Sequence, residues 1–313
     1  MKTRLGGIVV PMVTPLTGRD EMDVAGLERL IERMIEARVG GLFIVGTTGE
    51  GPSLSYRLRR DLIDRTVRQV NRRVPVLVGI TDTAFIESVN LARHAAEKGT
   101  DAVVVAPPYY LPEGQIELRE YLAHLVDELP LPLYLYNMPA LTKVPIELET
   151  VRLAMDEPRI VGFKDSSLNM IYFHQVIGLL KHRPDWTLLM GPEELLAESV
   201  MAGGHGGVSG GANLFPKLYV ALFDAAKAGD LSRVRDLHGL VMELRSSLYQ
   251  IGRHSSALIK GVKCALSCLG VCNDFMAEPF HRFRAEERAR VEQFLSVITP
   301  ELRRRSLHSG GME

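Results

Sequence analysis

Up to residue 230 the chain alternates short, continuously apolar runs with longer amphipathic stretches, and this alternation restricts its possible folds more than any other feature. The apolar runs, bounded by Gly and Pro, cover residues 7–13, 41–46, 74–80, 101–106, 132–137, 159–164, 186–191 and 206–209. They are apolar residue after residue rather than at every second position, the pattern of strands buried on both faces of a parallel sheet. Between them, Leu27, Leu30, Ile31, Met34 and Ile35 form one helical stripe, and Leu58, Leu62, Ile63, Thr66, Val67 and Val70 another. Further helices are expected to start near Glu87, Gln115, Glu147, Met170, Glu194 and Pro216. Eight strand–helix units joined by short loops predict an α/β fold, a (β/α)8 TIM barrel. The alternative is a doubly wound open sheet, but no Gly-x-Gly-x-x-Gly turn follows the first strand to support it.

After residue 230 the pattern becomes helix upon helix, at 231–251, 256–269 and 286–298, with no strand between. The expected division is a catalytic barrel over 1–230, a helical layer or oligomer interface over 231–300, and a disordered tail over 301–313. A formal net charge of −1 gives no electrostatic case for nucleic acid or an anionic membrane as partner. No apolar stretch approaches the ~20 residues that span a bilayer. The first residues lead into a strand without a signal-peptide core, so a cytoplasmic location is expected. Cys264, Cys268 and Cys272 recur at every fourth position, which would align them on one helix face, but the spacing matches no zinc or cluster motif. They are expected to be buried structural thiols.

In a barrel of this kind function gathers at the C-terminal ends of the strands. The sixth run ends in Lys164, followed at once by Asp165, Ser166 and Ser167. A lysine where a buried strand stops can be a side chain snorkelling out to water. It can also be a Schiff-base former, its amine kept neutral by an apolar pocket and its imine serving as an electron sink. Strand two ends in Gly46-Thr47-Thr48-Gly49-Glu50-Gly51, two hydroxyls and a run of backbone N–H groups that suit a small carboxylate. Strand four ends in Tyr109-Tyr110 and strand five in Tyr136-Asn137-Met138-Pro139, phenols able to relay protons to an imine carbon. Strand seven ends in Glu193-Glu194, an acidic pair that could equally be the first turn of the next helix. Strand eight ends in a Gly-rich stretch around Val208, open to a ligand's approach, while His205 precedes it on the opposite side and is expected to be structural.

Taken together, Gly46-Thr47-Thr48-Gly49-Glu50, Tyr136-Asn137-Met138-Pro139, Gly162-Phe163-Lys164-Asp165 and the Gly-rich eighth strand resemble the dihydrodipicolinate synthase / N-acetylneuraminate lyase family, from Gly7 to about residue 295. The resemblance implies a barrel with added C-terminal helices, a homotetramer, and class I chemistry with no cofactor beyond a covalent imine between a lysine and pyruvate or another 2-oxo acid. It casts Lys164 as the imine lysine and Tyr136 as the acid/base phenol. Thr47 and Thr48 would bind the pyruvyl carboxylate, Thr47 passing protons toward Tyr110, while Val208 would touch the keto acid through its backbone. Gly46 and Ser166 join the expected substrate contacts.

Departures from the family pattern bear on the substrate. Where the synthases carry an arginine for the carboxylate of aspartate semialdehyde, this chain has Leu141, which cannot replace a bidentate charge-assisted pair. Lys143 lies two residues on as a possible substitute. Glu193 and Glu194 match an acidic pair that the lyases turn toward sugar hydroxyls, so the resemblance favours a polyhydroxylated 2-oxo acid. The alternatives are condensation of pyruvate with aspartate semialdehyde, and a non-catalytic keto-acid-binding barrel. A metal-dependent class II aldolase finds no His/Asp/Glu cluster at ligand spacing on the strand ends. The segment equivalent to the synthases' lysine-inhibitor site, Gly51 through Tyr56 and Arg59, lacks its usual histidines, which speaks against feedback by lysine.

Overall fold

The computed structural model describes residues 5–306. In chain order its strands are β1 (Gly7–Pro11), β2 (Leu16–Gly18), β3 (Glu21–Met22), β4 (Gly41–Ile44), β5 (Val76–Gly79), β6 (Ala102–Val105), β7 (Leu133–Asn137), β8 (Ile160–Asp165), β9 (Thr187–Met190) and β10 (Gly206–Gly207). The first helices are α1 (Val24–Glu36), α2 (Tyr56–Val70), α3 (Phe85–Lys98), α4 (Gln115–Glu128), α5 (Pro139–Thr142) and α6 (Leu148–Ala154). They are followed by α7 (Met170–Leu179), α8 (Leu196–Met201), α9 (Pro216–Ala228), α10 (Leu231–Ser246), α11 (Ala257–Cys268) and α12 (Ala285–Ser306). β1 and β4 to β10 close a parallel barrel, β1 pairing with both β4 and β10. All eight expected strands are present, each ending a residue or more short of its apolar run except the fifth, which ends with its run at Asn137, and the sixth, which extends to Asp165.

Side chains alternate across the closed sheet. Val9, Phe43, Leu77, Val104, Tyr134, Tyr136 and Leu189 fill the interior. Their neighbours Val10, Leu42, Val78, Val105, Leu135 and Leu188 face the helices in a separate and larger core. Burying one such side chain stabilises the fold by about 1.5–3 kcal/mol. Polar residues at the ends of the apolar stripes start the helices: the Asp23 carboxylate accepts from Gly26 N, Ser55 from Leu58 N and Asp230 from Arg233 N.

One element was not foreseen and two expectations change. The β2–β3 hairpin between the first strand and α1 has too few residues to show a period, and it turns at Asp20, held at φ 55°. The segment expected to be disordered from residue 301 is helical as far as Ser306, because Leu302 is buried and Glu301 pairs with Arg304 and Arg305 one turn on. Residues 307–313 of that segment lie outside the described residues. Cys264 lies in α11 and is buried, Cys268 ends the helix half-buried, and Cys272 is buried beyond it, so the three thiols do not share a helix face. Burial pushes the Cys264 and Cys272 thiols up to about 12. The apolar faces of α10, α11 and α12 join the same core as the outer barrel. Among the described residues no helix is long and apolar enough to cross a membrane, and no group of three His, Cys, Asp or Glu side chains could hold a metal.

Candidate active site

Lys164 projects into the barrel interior because β8 alternates, with Phe163 facing the helices and Gly162 and Lys164 facing inward. A Cβ on Gly162 would stand 2.3 Å from the Tyr134 ring, so the glycine makes room for the aromatic beneath the lysine. The parallel register sets Tyr136 beside Lys164 and Asn137 beside Asp165. Lys164 is 6% exposed, with Nζ 3.9 Å from the centroid of the Tyr136 ring and 5.2 Å from that of Phe43. Thr47 Oγ1 lies 3.5 Å from the Tyr136 hydroxyl.

Burial pushes the Lys164 amine down from its ordinary value, against the pull of the Tyr136 phenolate form. For Tyr136 burial alone would raise the phenol, but the neighbouring lysine charge and hydrogen bonds with Thr47, Ser166 and Lys164 outweigh it and bring the phenol down. The two directions describe one shared proton: the phenol is acidic only while the amine is charged, and the enclosure favours the neutral amine. A neutral amine beside a proton-carrying phenol can attack a carbonyl and have its proton transfers served by the phenol.

The supporting layer is closely bonded. The Asp165 carboxylate accepts from Asn137 Nδ2 at 2.8 Å, Ser167 N at 3.1 Å and Ser167 Oγ at 2.9 Å, and burial pushes it up. Asn137 Oδ1 accepts from Ile146 N at 3.0 Å, and Ser166 N donates to the Asn137 carbonyl at 2.8 Å. At the exit of β4, Val45 stands at φ 58°, a conformation that a β-branched residue adopts only under constraint from its surroundings, and Glu50 at φ 57°. Sequence reasoning passed over Val45, because nothing in its type announces a left-handed backbone.

Above the lysine lies a cavity of about 340 Å³. Phe43, Gly46, Thr47 and Tyr136 form its base, Met138 and Leu141 one wall, and Ser255, Ser256, Ile259, Met276 and Phe280 from the helical layer another. Among the described residues no Lys, Arg or His lines it, and the single charged lining residue, Glu50, is paired with Lys263. Sequence reasoning missed the helical-layer wall altogether, because apolar residues of α11 and the segment after it carry no mark that separates a pocket lining from core.

Several expected site residues lie elsewhere. Tyr110 is 82% exposed and outside the cavity lining, where Tyr109 stands instead, so within one chain it does not complete a relay from Thr47. Glu193 turns away from the cavity into the core, where Oε1 accepts from the Tyr219 and Tyr249 hydroxyls at 2.7 Å each and Oε2 accepts from Gly211 N at 2.7 Å. Burial pushes its carboxyl up despite these bonds. Glu194 is paired with Arg245 of α10 at 2.8 Å. The acidic pair therefore ties β9 to the helical layer, as polar groups buried between packed elements must find partners. Lys143, in a left-handed turn at φ 64°, donates to the Ala140 carbonyl at 2.7 Å and faces solvent. Thr48 is half-buried next to Thr47, and Val208 is buried in the barrel interior with its N–H donating to Met190 O at 2.7 Å. Neither lines the cavity. His205 accepts from Leu188 N at 2.8 Å through Nδ1 at the start of the eighth barrel strand, a structural bond.

A closed parallel barrel with an inward lysine and phenol at its strand ends is a (β/α)8 barrel that carries a nucleophile and an acid/base group where such barrels place their chemistry. Residues 4–298 match the dihydrodipicolinate synthetase family, and the chain belongs to it. It is similar to the solved structure of dihydrodipicolinate synthase from Bacteroides thetaiotaomicron, with a TM-score of 0.92 and 52% identity over 95% of this chain and 99% of that one. It is 32% identical to the putative 2-dehydro-3-deoxy-D-gluconate aldolase YagE of Escherichia coli, over 78% of this chain and 82% of that protein. The structure of YagE in complex with pyruvate superposes with a TM-score of 0.88 and 29% identity, covering 94% of this chain and 98% of that one. The 4-hydroxy-tetrahydrodipicolinate synthase of Gluconacetobacter diazotrophicus is 29% identical over 94% of this chain and 97% of that protein. Members of the family are lyases and aldolases, and this chain is one of them.

Proposed function

We propose that the protein is a class I aldolase in which Lys164 forms an imine with pyruvate or another 2-oxo acid. The observation that carries this is the enclosed Lys164 amine, 3.9 Å from the Tyr136 ring centroid and held below its ordinary pKa. Neutral Nζ attacks the keto carbon, the carbinolamine loses water with the proton carried by Tyr136, and the imine results. Thr47, at the base of the cavity and within reach of the Tyr136 hydroxyl, holds the carboxylate together with backbone N–H groups of the loop it opens, that of Thr48 among them. In cleavage, Tyr136 takes the proton of the C4 hydroxyl as the C3–C4 bond breaks, the bond's electrons pass into the protonated imine to give an enamine, the aldehyde leaves, and C3 then takes up a proton before water releases the 2-oxo acid from Lys164. In condensation the enamine attacks an aldehyde instead. The imine is the electron sink, so the reaction calls for no metal or organic cofactor, and activity is expected to persist in chelator.

A polyhydroxylated 2-oxo acid remains the favoured substrate, on changed grounds. Glu193 and Glu194 face away from the cavity, whereas the hydroxyl-bearing residues Ser53, Ser255 and Ser256 line it and Leu141 offers a second carboxylate nothing to pair with. The name of YagE agrees with this substrate class. Aspartate semialdehyde condensation is the second reading, supported by the 52% identity with the Bacteroides synthase. Exposed Tyr110, Leu111 and Ile116 give an apolar face for contact between copies, and we propose a homotetramer, measurable by sedimentation.

The test is borohydride reduction in the presence of pyruvate, followed by peptide mapping. A reduced adduct on Lys164, absent in Lys164→Ala, is expected; an adduct at another lysine overturns the mechanism. Pyruvate release from sugar acids, measured alongside semialdehyde condensation, orders the two substrates.

A further inference from the structure

Lys263 has no exposed side-chain surface, and the reaction above gives it no task. A lysine taken fully out of water needs its charge met. Its Nζ donates to Glu50 Oε1 at 2.6 Å and to the Thr14 carbonyl at 2.9 Å. Glu50 is as enclosed as its partner, and its second oxygen accepts from Ala277 N at 2.8 Å. These bonds converge on the loop that follows β4. Thr14 Oγ1 donates to the Gly49 carbonyl at 2.6 Å, Glu50 N to the Thr47 carbonyl at 3.0 Å, and Gly51 N to the Gly46 carbonyl at 3.0 Å. A Cβ on Gly49 would stand 2.8 Å from the Met12 carbonyl, so the loop lies directly on the exit of β1. The same α11 that carries Lys263 supplies Ile259 to the cavity wall, and Met276 beside Ala277 supplies another part of it.

We propose that Lys263 is a positioning residue. Through its ion pair with Glu50, the helical layer sets the placement of Thr47 and Thr48, and with it the affinity of the site for the carboxylate of the 2-oxo acid. The inference rests on the imine reading given above. A buried pair that served folding alone would be replaceable by a neutral pair without any change in pyruvate affinity. A pair that positions the loop would not, because a displacement on the order of 1 Å at a binding group is enough to cost up to ~100-fold.

The experiment follows pyruvate-dependent borohydride trapping on the full chain as a function of pyruvate concentration, together with thermal unfolding, for the wild type, Lys263→Met, Glu50→Gln, the double variant and Thr14→Val. Each single change at the pair strands a buried polar partner and is expected to lower thermal stability. The double variant is expected to regain that stability while its half-saturating pyruvate concentration stays raised about 10-fold or more, with the trapping rate at saturation changed far less. Thr14→Val removes only the hydroxyl bond to Gly49 and is expected to raise half-saturation about 3-fold. Should none of the pair variants fold, Thr14→Val decides. A folded double variant, or Thr14→Val, with wild-type half-saturation overturns the proposal. Absence of any wild-type adduct overturns the imine reading and this one with it, whereas an adduct with unshifted half-saturation overturns this one alone.

Discussion

Lys164 brings an amine with an ordinary pKa of 10.5 into an aromatic enclosure, and burial lowers that value. The sign of the pH dependence follows. A lowered pKa keeps the amine neutral, and so nucleophilic, down to a pH below the ordinary lysine range. The rate of adduct formation at fixed pyruvate is therefore expected to fall only as pH drops through that lowered value. A limb found near 10.5 in a pH series of trapping rates would show an unperturbed lysine. Glu193 makes a contrasting residue-scale case, since its three hydrogen bonds hold core elements together rather than meeting substrate. Glu193→Ala leaves two buried tyrosine hydroxyls and one N–H without an acceptor, at about 1–3 kcal/mol for each unsatisfied group. Thermal unfolding is expected to shift sharply down, and a variant as stable as the wild type would show that the network carries little.

Strands decide where these residues meet. The register of β7 and β8 shifts by one residue between Leu133 and Tyr134 and then runs one-to-one, which sets Tyr136 against Lys164 and Asn137 against Asp165; a further slip of one residue would turn the lysine to the helices. Gly162 is part of that register, because only a residue without a Cβ lets β8 pass the Tyr134 ring and the Thr187 carbonyl. Gly162→Ala is expected to cost about 1–3 kcal/mol of stability through overpacking. It should slow pyruvate trapping by displacing Lys164, and denaturant unfolding with trapping kinetics reads both; unchanged values in both would mean that the strand moves freely there. At this scale the apolar runs were legible in the sequence, and so were the strand-end motifs. The β2–β3 hairpin was not, because two and three residues give no period.

Across the whole molecule, the helical layer completes the site rather than decorating the barrel. Ser255, Ser256, Ile259, Met276 and Phe280 line the cavity, and the apolar faces of α10, α11 and α12 share the barrel's outer core. Ending the chain at residue 230 is expected to expose that core and to abolish soluble, trapping-competent protein, as expression yield and circular dichroism would report. A soluble truncated barrel with wild-type pyruvate half-saturation would contradict it.

Local chemistry and periodicity sufficed for the barrel, its strand ends and the lysine, since continuous apolar runs and the residues that close them depend only on near neighbours in sequence. The direction of Glu193 and Glu194, the exposure of Tyr110 and the pairing of Glu50 with Lys263 were decided by packing between segments far apart in the chain. A carboxylate on a strand end can face either ligand or core with the same local sequence. Which it faces depends on the phenols and amines that distant helices bring within hydrogen-bond reach, and only the folded chain sets those distances.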